Sequence, residues 1–225
     1  MTIHSGSETG TGRRPVIVQK YGGSSLADAD LIHKVASRII DRSEEGVDIV
    51  VVVSAMGDST DELHALSRAV TMGSTPDARE MDTLLSTGEL VSSTLMAMAL
   101  KARGHDAVSL SGPQAGIKTD AVHGSARIAD IKTDRLHREL EKGRIVIVAG
   151  FQGLAESGDI TTLGRGASDT TAVALAVATQ AERCEIFTDV EGIYTTDPRL
   201  TDKARKLAEI GFQEMLEMAV LGAKM

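Results

Sequence analysis

The feature that most limits the fold is a set of short apolar runs that fail to alternate. Ile49 to Val53 and Ile145 to Val148 are unbroken isoleucine and valine, and Val16-Ile17-Val18 repeats the pattern near the start. A strand with one wet face alternates apolar and polar residues, so unbroken β-branched runs belong to strands covered on both faces. Ala107 to Leu110 and Cys184 to Thr188 read as further strands. Helical periodicity fills the intervals. Leu31, Ile32, Val35, Ala36, Ile39 and Ile40 share one face, and so do Leu63, Leu66 and Val70. A long helical region from about Ala78 to Ala102 is interrupted by Gly88. A shorter helix covers Asp134 to Lys142, and a last one covers roughly Ile210 to Leu221. Gly112 to Thr133 is polar and mixed and carries no assignment. Strands alternating with helices predict an α/β fold, with a mainly parallel central sheet covered on both faces.

Such sheets bind ligands beyond the carboxyl ends of their strands. The polar, glycine-rich segments follow Val18, Val53, Val148 and Phe187, so four strand ends converge on one rim. The richest is the stretch from Ile145 to Thr171. Its glycines, Gly150 and Gly153, permit backbone angles closed to other residues. An Ala/Val-rich helix from Thr170 to Ala181 follows, with Ser168 or Asp169 as its N-cap. Arg165, Gly164, Gly166 and Asp169 thus stand before a helix N-terminus, whose free N–H groups and partial positive charge suit a phosphate or carboxylate. Lys20 with Gly22-Gly23 at a strand-to-helix turn reads as a phosphate cradle, the plainer reading being a tight turn. No G-x-x-x-x-G-K-[ST] pattern occurs, and Gly164-Arg165-Gly166 lacks the third glycine of a dinucleotide fingerprint, since Asp169 stands there.

Composition narrows the partners. A formal net charge of −8, 2 % aromatics and no tryptophan argue against nucleic acid. No apolar run reaches the roughly 18 residues of a membrane span. The first fifteen residues lack an apolar signal region, and residues 1–14 read as a flexible tail, so a cytoplasmic protein is expected. Cys184 is expected in the core, and the 6 histidines, which show no metal-ligand spacing, on surfaces or helix faces. Glu89 lies in an otherwise apolar helix: an exposed carboxylate on the plain reading, a substrate contact on the sharp one. Met81, Met96, Met98, Met215 and Met218 read as core.

Together the motifs resemble those of aspartokinases, in the amino acid kinase family. Lys20-Tyr21-Gly22-Gly23-Ser24-Ser25 is similar to their KFGGTS opening, and Ser54-Ala55-Met56 to their SAM. Thr162-Leu163-Gly164-Arg165-Gly166-Ala167-Ser168-Asp169 is similar to TLGRGGSD, and Thr188 to Arg199 to TDVxGIYTTDPR almost letter for letter. The resemblance covers the chain from Val16 onward. It implies a three-layer α/β/α sandwich, with residues 15–225 as the kinase domain, an acceptor-binding lobe to about residue 150 and a nucleotide-binding lobe after it. The implied reaction is ATP-dependent phosphorylation of the L-aspartate β-carboxylate, the first step of the aspartate-derived route to lysine, threonine and methionine, with Mg²⁺ as cofactor.

Carried over by position, the resemblance gives Lys20 the transferring phosphoryl group and Asp169 the ordering of that lysine. Arg165 is expected on the acceptor carboxylate, Glu89 on its amine, and Ser54, Thr60 and Phe151 around its pocket. Lys20, Gly22, Gly23, Ser24, Thr188, Asp189, Tyr194, Arg199 and Lys224 are expected at the nucleotide. No protein residue is expected to ligate a metal. A homodimer is implied, or a second chain that completes the domain. Tyr21 and Ala167 depart from the usual Phe and Gly. The chain also stops at Met225, where the family continues into the rest of the nucleotide lobe and two regulatory domains, so that lobe is expected to be truncated. That departure motivates the alternative of a non-catalytic or partner-dependent subunit, beside a paralogue acting on a related amino acid.

Overall fold

The computed structural model describes residues 2–4, 14–164, 166–189, 192–196 and 200–220. In chain order come β1 (Thr2–His4), β2 (Val16–Tyr21), α1 (Ala29–Glu44), β3 (Asp48–Val53), α2 (Ser59–Val70) and α3 (Ala78–Lys101). There follow β4 (Ala107–Leu110), β5 (Ile117–Thr119), β6 (Ile128–Ile131), α4 (Asp134–Leu140), β7 (Ile145–Ala149), β8 (Gln152–Leu154) and β9 (Ile160–Thr162). Last are α5 (Ala167–Ala178), β10 (Arg183–Phe187) and α6 (Phe212–Val220). Contacts divide the chain into two compact units, Thr2–Phe187 and a second over Thr188–Met225 together with Met1.

The unalternating runs form the middle of the larger sheet, in the order β1-β10-β2-β3-β7-β4. β10, β2, β3, β7 and β4 are parallel, and β1, inside the stretch expected to be a tail, runs antiparallel to β10. β3 shows why both faces must be apolar. Ile49, Val51 and Val53 face a core built with Val35 and Ile39 of α1 and Met96 and Leu100 of α3. Val50 and Val52 face the opposite core, with Leu136 and Leu140 of α4 and Ala172 and Leu175 of α5. Helices on both faces of a mainly parallel sheet make the expected three-layer α/β architecture. The sheet is continuous across residue 150, because β10 returns to pair with β2.

A second sheet, in the order β6-β5-β8-β9, takes two of its strands, β5 and β6, from the unassigned segment between Gly112 and Thr133. α3 differs from expectation in two ways. Gly88 does not interrupt it: the helix is continuous, and a Cβ at Gly88 would stand 2.8 Å from the Ala55 Cβ. Glycine is there for close packing, not as a break. At 24 residues, α3 is also long and apolar enough by length and composition to cross a membrane, contrary to the sequence reading. Its Leu85, Met96 and Leu100 are instead buried within this unit, as in a core helix. Met98 on the same helix is 59 % exposed rather than core. Cys184 is buried as expected, and burial pushes its thiol up to about 11.

In the second unit, Thr195 donates to the Arg205 carbonyl and Leu207 to the Ile193 carbonyl, around a bridge between Tyr194 and Lys206. α6 follows.

Candidate active site

The parallel register sets three strand ends side by side. Tyr21 pairs with Val53, and Val53 with Ala149, so the chain leaves the sheet together at Gly22, Ser54 and Gly150. The exits are tied to one another. Ser54 N–H donates to the Tyr21 carbonyl (3.1 Å), Gly150 N–H to the Val53 carbonyl (3.0 Å) and Gly57 N–H to the Gly23 carbonyl (3.0 Å). Gly23 and Gly150 are needed for space. A Cβ on Gly23 would lie 2.6 Å from the Ala55 carbonyl oxygen, and one on Gly150 would lie 2.8 Å from Ser168 Oγ. The unusual backbone angle falls instead on Phe151, with φ +69°. That conformation is uncommon for a bulky residue, and its neighbours hold it: Phe151 N–H donates to Thr171 Oγ1 and its carbonyl accepts from Leu163 N–H.

Lys20, the penultimate residue of β2, projects toward α5. Its Nζ lies 2.7 Å from Asp169 Oδ1; the lysine side chain is 11 % exposed and the aspartate 48 %. A Cβ on Gly22 would be 3.6 Å from the same Nζ, an ordinary contact, so the ammonium lies directly beside this glycine. Asp169 is not the N-cap of α5. The helix begins earlier, at Ala167, with Gly166 as its N-cap in the left-handed region (φ +75°). This places Ser168 and Asp169 inside the first turn, where a carboxylate complements the helix dipole. Tyr21 is fully buried, stacks on Phe187 with ring centroids 4.7 Å apart and donates its hydroxyl to Gln19 Oε1. Ala167 is buried at the helix start.

Glu89 is 4 % exposed, so the plain reading of a surface carboxylate is wrong. Its Oε1 accepts the Ala55 N–H at 3.2 Å, while Oε2 is buried with no partner among the described residues. Burial pushes the carboxyl up to about 7, partly opposed by the backbone hydrogen bonds. Gly88 makes the arrangement feasible by letting α3 press against Ala55. A buried carboxylate with one oxygen unfilled is costly alone and suits an incoming cation such as an ammonium. Ser54 adjoins Ala55, and Thr60 lies in the first turn of α2; both are half-buried, whereas Ser24 is exposed.

The described rim therefore brings together Lys20, Gly22, Gly23 and Asp169, with Ser54 and Glu89 linked through Ala55. Thr188, Asp189 and Tyr194 belong to the second compact unit; there Thr188 Oγ1 donates to Asp189 Oδ1 at 3.2 Å. Arg165, Arg199 and Lys224 lie outside the described residues. Sequence reasoning missed Asp82 and His123. Asp82 is 1 % exposed, and His123, expected at a surface or on a helix face, sits with Nδ1 2.7 Å from the Asp82 carboxylate. The discernible signal was an acidic residue seven positions before Glu89, on the same face of α3.

The chain is thus an α/β protein: a mainly parallel sheet with helices on both faces, carrying a lysine, glycine turns and a helix-start carboxylate at its carboxyl rim. The family model described as "Amino acid kinase family" matches residues 15–225, and the chain belongs to that family. It is 58 % identical to an aspartokinase of Geobacillus stearothermophilus, over 92 % of this chain and 51 % of that protein. It is 57 % identical to aspartokinase 2 of Bacillus subtilis, over 92 % of this chain and 50 % of that protein. The chain thus spans about half the length of these relatives. Among solved structures, it is similar to E. coli aspartokinase III in complex with aspartate and ADP, with a TM-score of 0.82 and 31 % identity over 92 % of this chain and 57 % of that one. Aspartate kinase from Synechocystis gives a TM-score of 0.79 and 48 % identity over 93 % of this chain and 34 % of that one.

Proposed function

We propose that this chain carries the catalytic chemistry of an aspartate kinase: transfer of the ATP γ-phosphoryl group to the β-carboxylate of L-aspartate, giving 4-phospho-L-aspartate and ADP. The observation that supports it most is Lys20, a largely buried ammonium held 2.7 Å from Asp169 at a rim lined by Gly22 and Gly23. An aspartate side chain has a pKa of about 3.9 and is already an ionised nucleophile at neutral pH, so no general base is required. One carboxylate oxygen attacks the γ-phosphorus as the bond to the bridging oxygen of ADP breaks. Lys20 and the loop N–H groups offset the negative charge shared between the two oxygens. Asp169 keeps the ammonium aimed at the rim.

On the acceptor side, Glu89 Oε2 is assigned the α-ammonium, with Ser54, Thr60 and Phe151 bordering the pocket and Arg165 on the carboxylate. Gly22, Gly23, Ser24, Thr188, Asp189, Tyr194, Arg199 and Lys224 are assigned to the nucleotide on the resemblance. Among the described residues no three His, Cys, Asp or Glu side chains group as metal ligands. The Lys20 ammonium and the glycine N–H groups cannot ligate Mg²⁺ and suit phosphate oxygens instead; of the described rim groups only the Asp169 carboxylate could hold the ion, which would arrive on the nucleotide phosphates. Bound there, it would neutralise phosphate charge. A cytoplasmic homodimer is part of the same proposal. The test is ADP release from ATP by the purified chain, with and without L-aspartate and with L-glutamate beside it. Aspartate-dependent release supports the reading. Release indifferent to any amino acid, or specific to another one, overturns the assignment of substrate.

A further inference from the structure

We infer that Asp82 is a positioning residue, the tether that sets the Thr162–Gly164 approach to α5 against the helix bearing Glu89. The inference rests on the proposed reading of this rim as a phosphoryl-transfer site. Asp82 and Glu89 lie seven residues apart on α3, two turns along one face. A carboxylate only 1 % exposed must be filled with donors, and none of those it receives belongs to its own helix. Gly124 N–H donates to both oxygens, at 3.0 and 3.1 Å. His123 Nδ1 lies 2.7 Å from Oδ2, and the Thr162 hydroxyl donates to Oδ1. One side chain thus joins three pieces of chain: α3, the turn between β5 and β6, and the last residue of β9.

The turn is itself shaped to pass this grip onward. Asp120 Oδ1 accepts the Val122 and Arg127 N–H groups, and Ala126 N–H donates to the Thr162 carbonyl at 2.9 Å. Beyond Thr162, Gly164 (φ +86°) takes the turn as its nearest surroundings: a Cβ there would lie 3.7 Å from the Gly124 carbonyl oxygen and 3.9 Å from Ser125 Cα. The chain then enters α5, where Asp169 meets Lys20. Asp82 touches neither Lys20 nor Asp169 through any of these bonds. It acts by keeping the path to α5 in step with Glu89. Losing the tether should therefore weaken acceptor binding selectively.

Two variants isolate the tether. His123→Ala removes one donor and leaves α3 untouched, and Asp82→Asn keeps the shape but turns one acceptor into a donor. Both should raise the KM for the amino-acid acceptor roughly tenfold or more, while the KM for ATP stays within about twofold. His123→Asn, whose amide N–H can take the place of the Nδ1 donor, should restore the acceptor KM. Amide hydrogen exchange gives a readout independent of turnover: residues 122–126 and 162–164 should lose protection together in both variants. Acceptor and ATP KM values that rise equally or do not move, or exchange that quickens in 122–126 alone, would overturn the inference. If the wild-type chain turned over no acceptor, the proposed function would fall, and the exchange experiment would still decide the tether by the same criterion.

Discussion

Lys20 and Glu89 are opposite solutions to burying a charge. Lys20 has a partner at 2.7 Å, and its side chain is largely buried. Among the described residues, Glu89 Oε1 takes the Ala55 N–H and Oε2 has no partner. Replacing Lys20 or Asp169 by alanine should lower kcat by about 10²–10³ or more, leaving the circular dichroism of the fold unchanged. Rates within a few-fold of wild type in either variant would refute the roles assigned to them.

Glu89 makes a pH prediction whose sign follows from burial. Its folded pKa, pushed up to about 7, is above the ordinary 4.5, so the neutral acid is the form the fold prefers. Its contribution to stability is fully present below the ordinary value and is lost as pH rises through about 7. An ammonium needs the ionised form, so the KM for the acceptor should fall as pH rises from 6 to 8. Glu89→Gln should flatten that profile at a raised KM, and its stability should gain on wild type across the same interval. An unchanged slope in Glu89→Gln would show that another group titrates.

At the scale of elements, the glycine beside Glu89 is the most exposed to test. Gly88→Ala would place a methyl 2.8 Å from the Ala55 Cβ and push α3 off the loop after β3. We expect a cost of about 1–3 kcal/mol by thermal unfolding, with a matching loss of acceptor affinity. A variant as stable as wild type would mean the helix shifts freely and that Gly88 does not set the Ala55–Glu89 contact.

The same scale shows what could be read in the sequence. The central strands were legible because burial on both faces leaves an unbroken β-branched run, as in β3, where Val50 to Val53 are all buried. The helices against them were legible from their periodicity, although a helix-interior glycine looked like a break. β5, β8 and β9 have 3 residues each, too short for a period of two to register, and their pairing is non-local. Lys20, the glycine turns and Asp169 were legible because they sit at strand ends and a helix start. Asp82 with His123 was not. They are 41 residues apart, and only the fold shows that a buried carboxylate needs that ring.

The whole chain has two compact units, and the sheet, both cores, Lys20, Glu89 and Asp169 all fall in the first, Thr2–Phe187. Its proposed chemistry yields an acyl phosphate, a product that hydroxylamine captures as a hydroxamate. The measurement that tests the central claim most directly is therefore incubation of the folded chain with ATP, Mg²⁺, L-aspartate and hydroxylamine, with glutamate and other amino acids in parallel. The account predicts aspartyl hydroxamate that depends on ATP and disappears in Lys20→Ala. No hydroxamate with any amino acid, from protein shown to be folded, would contradict it.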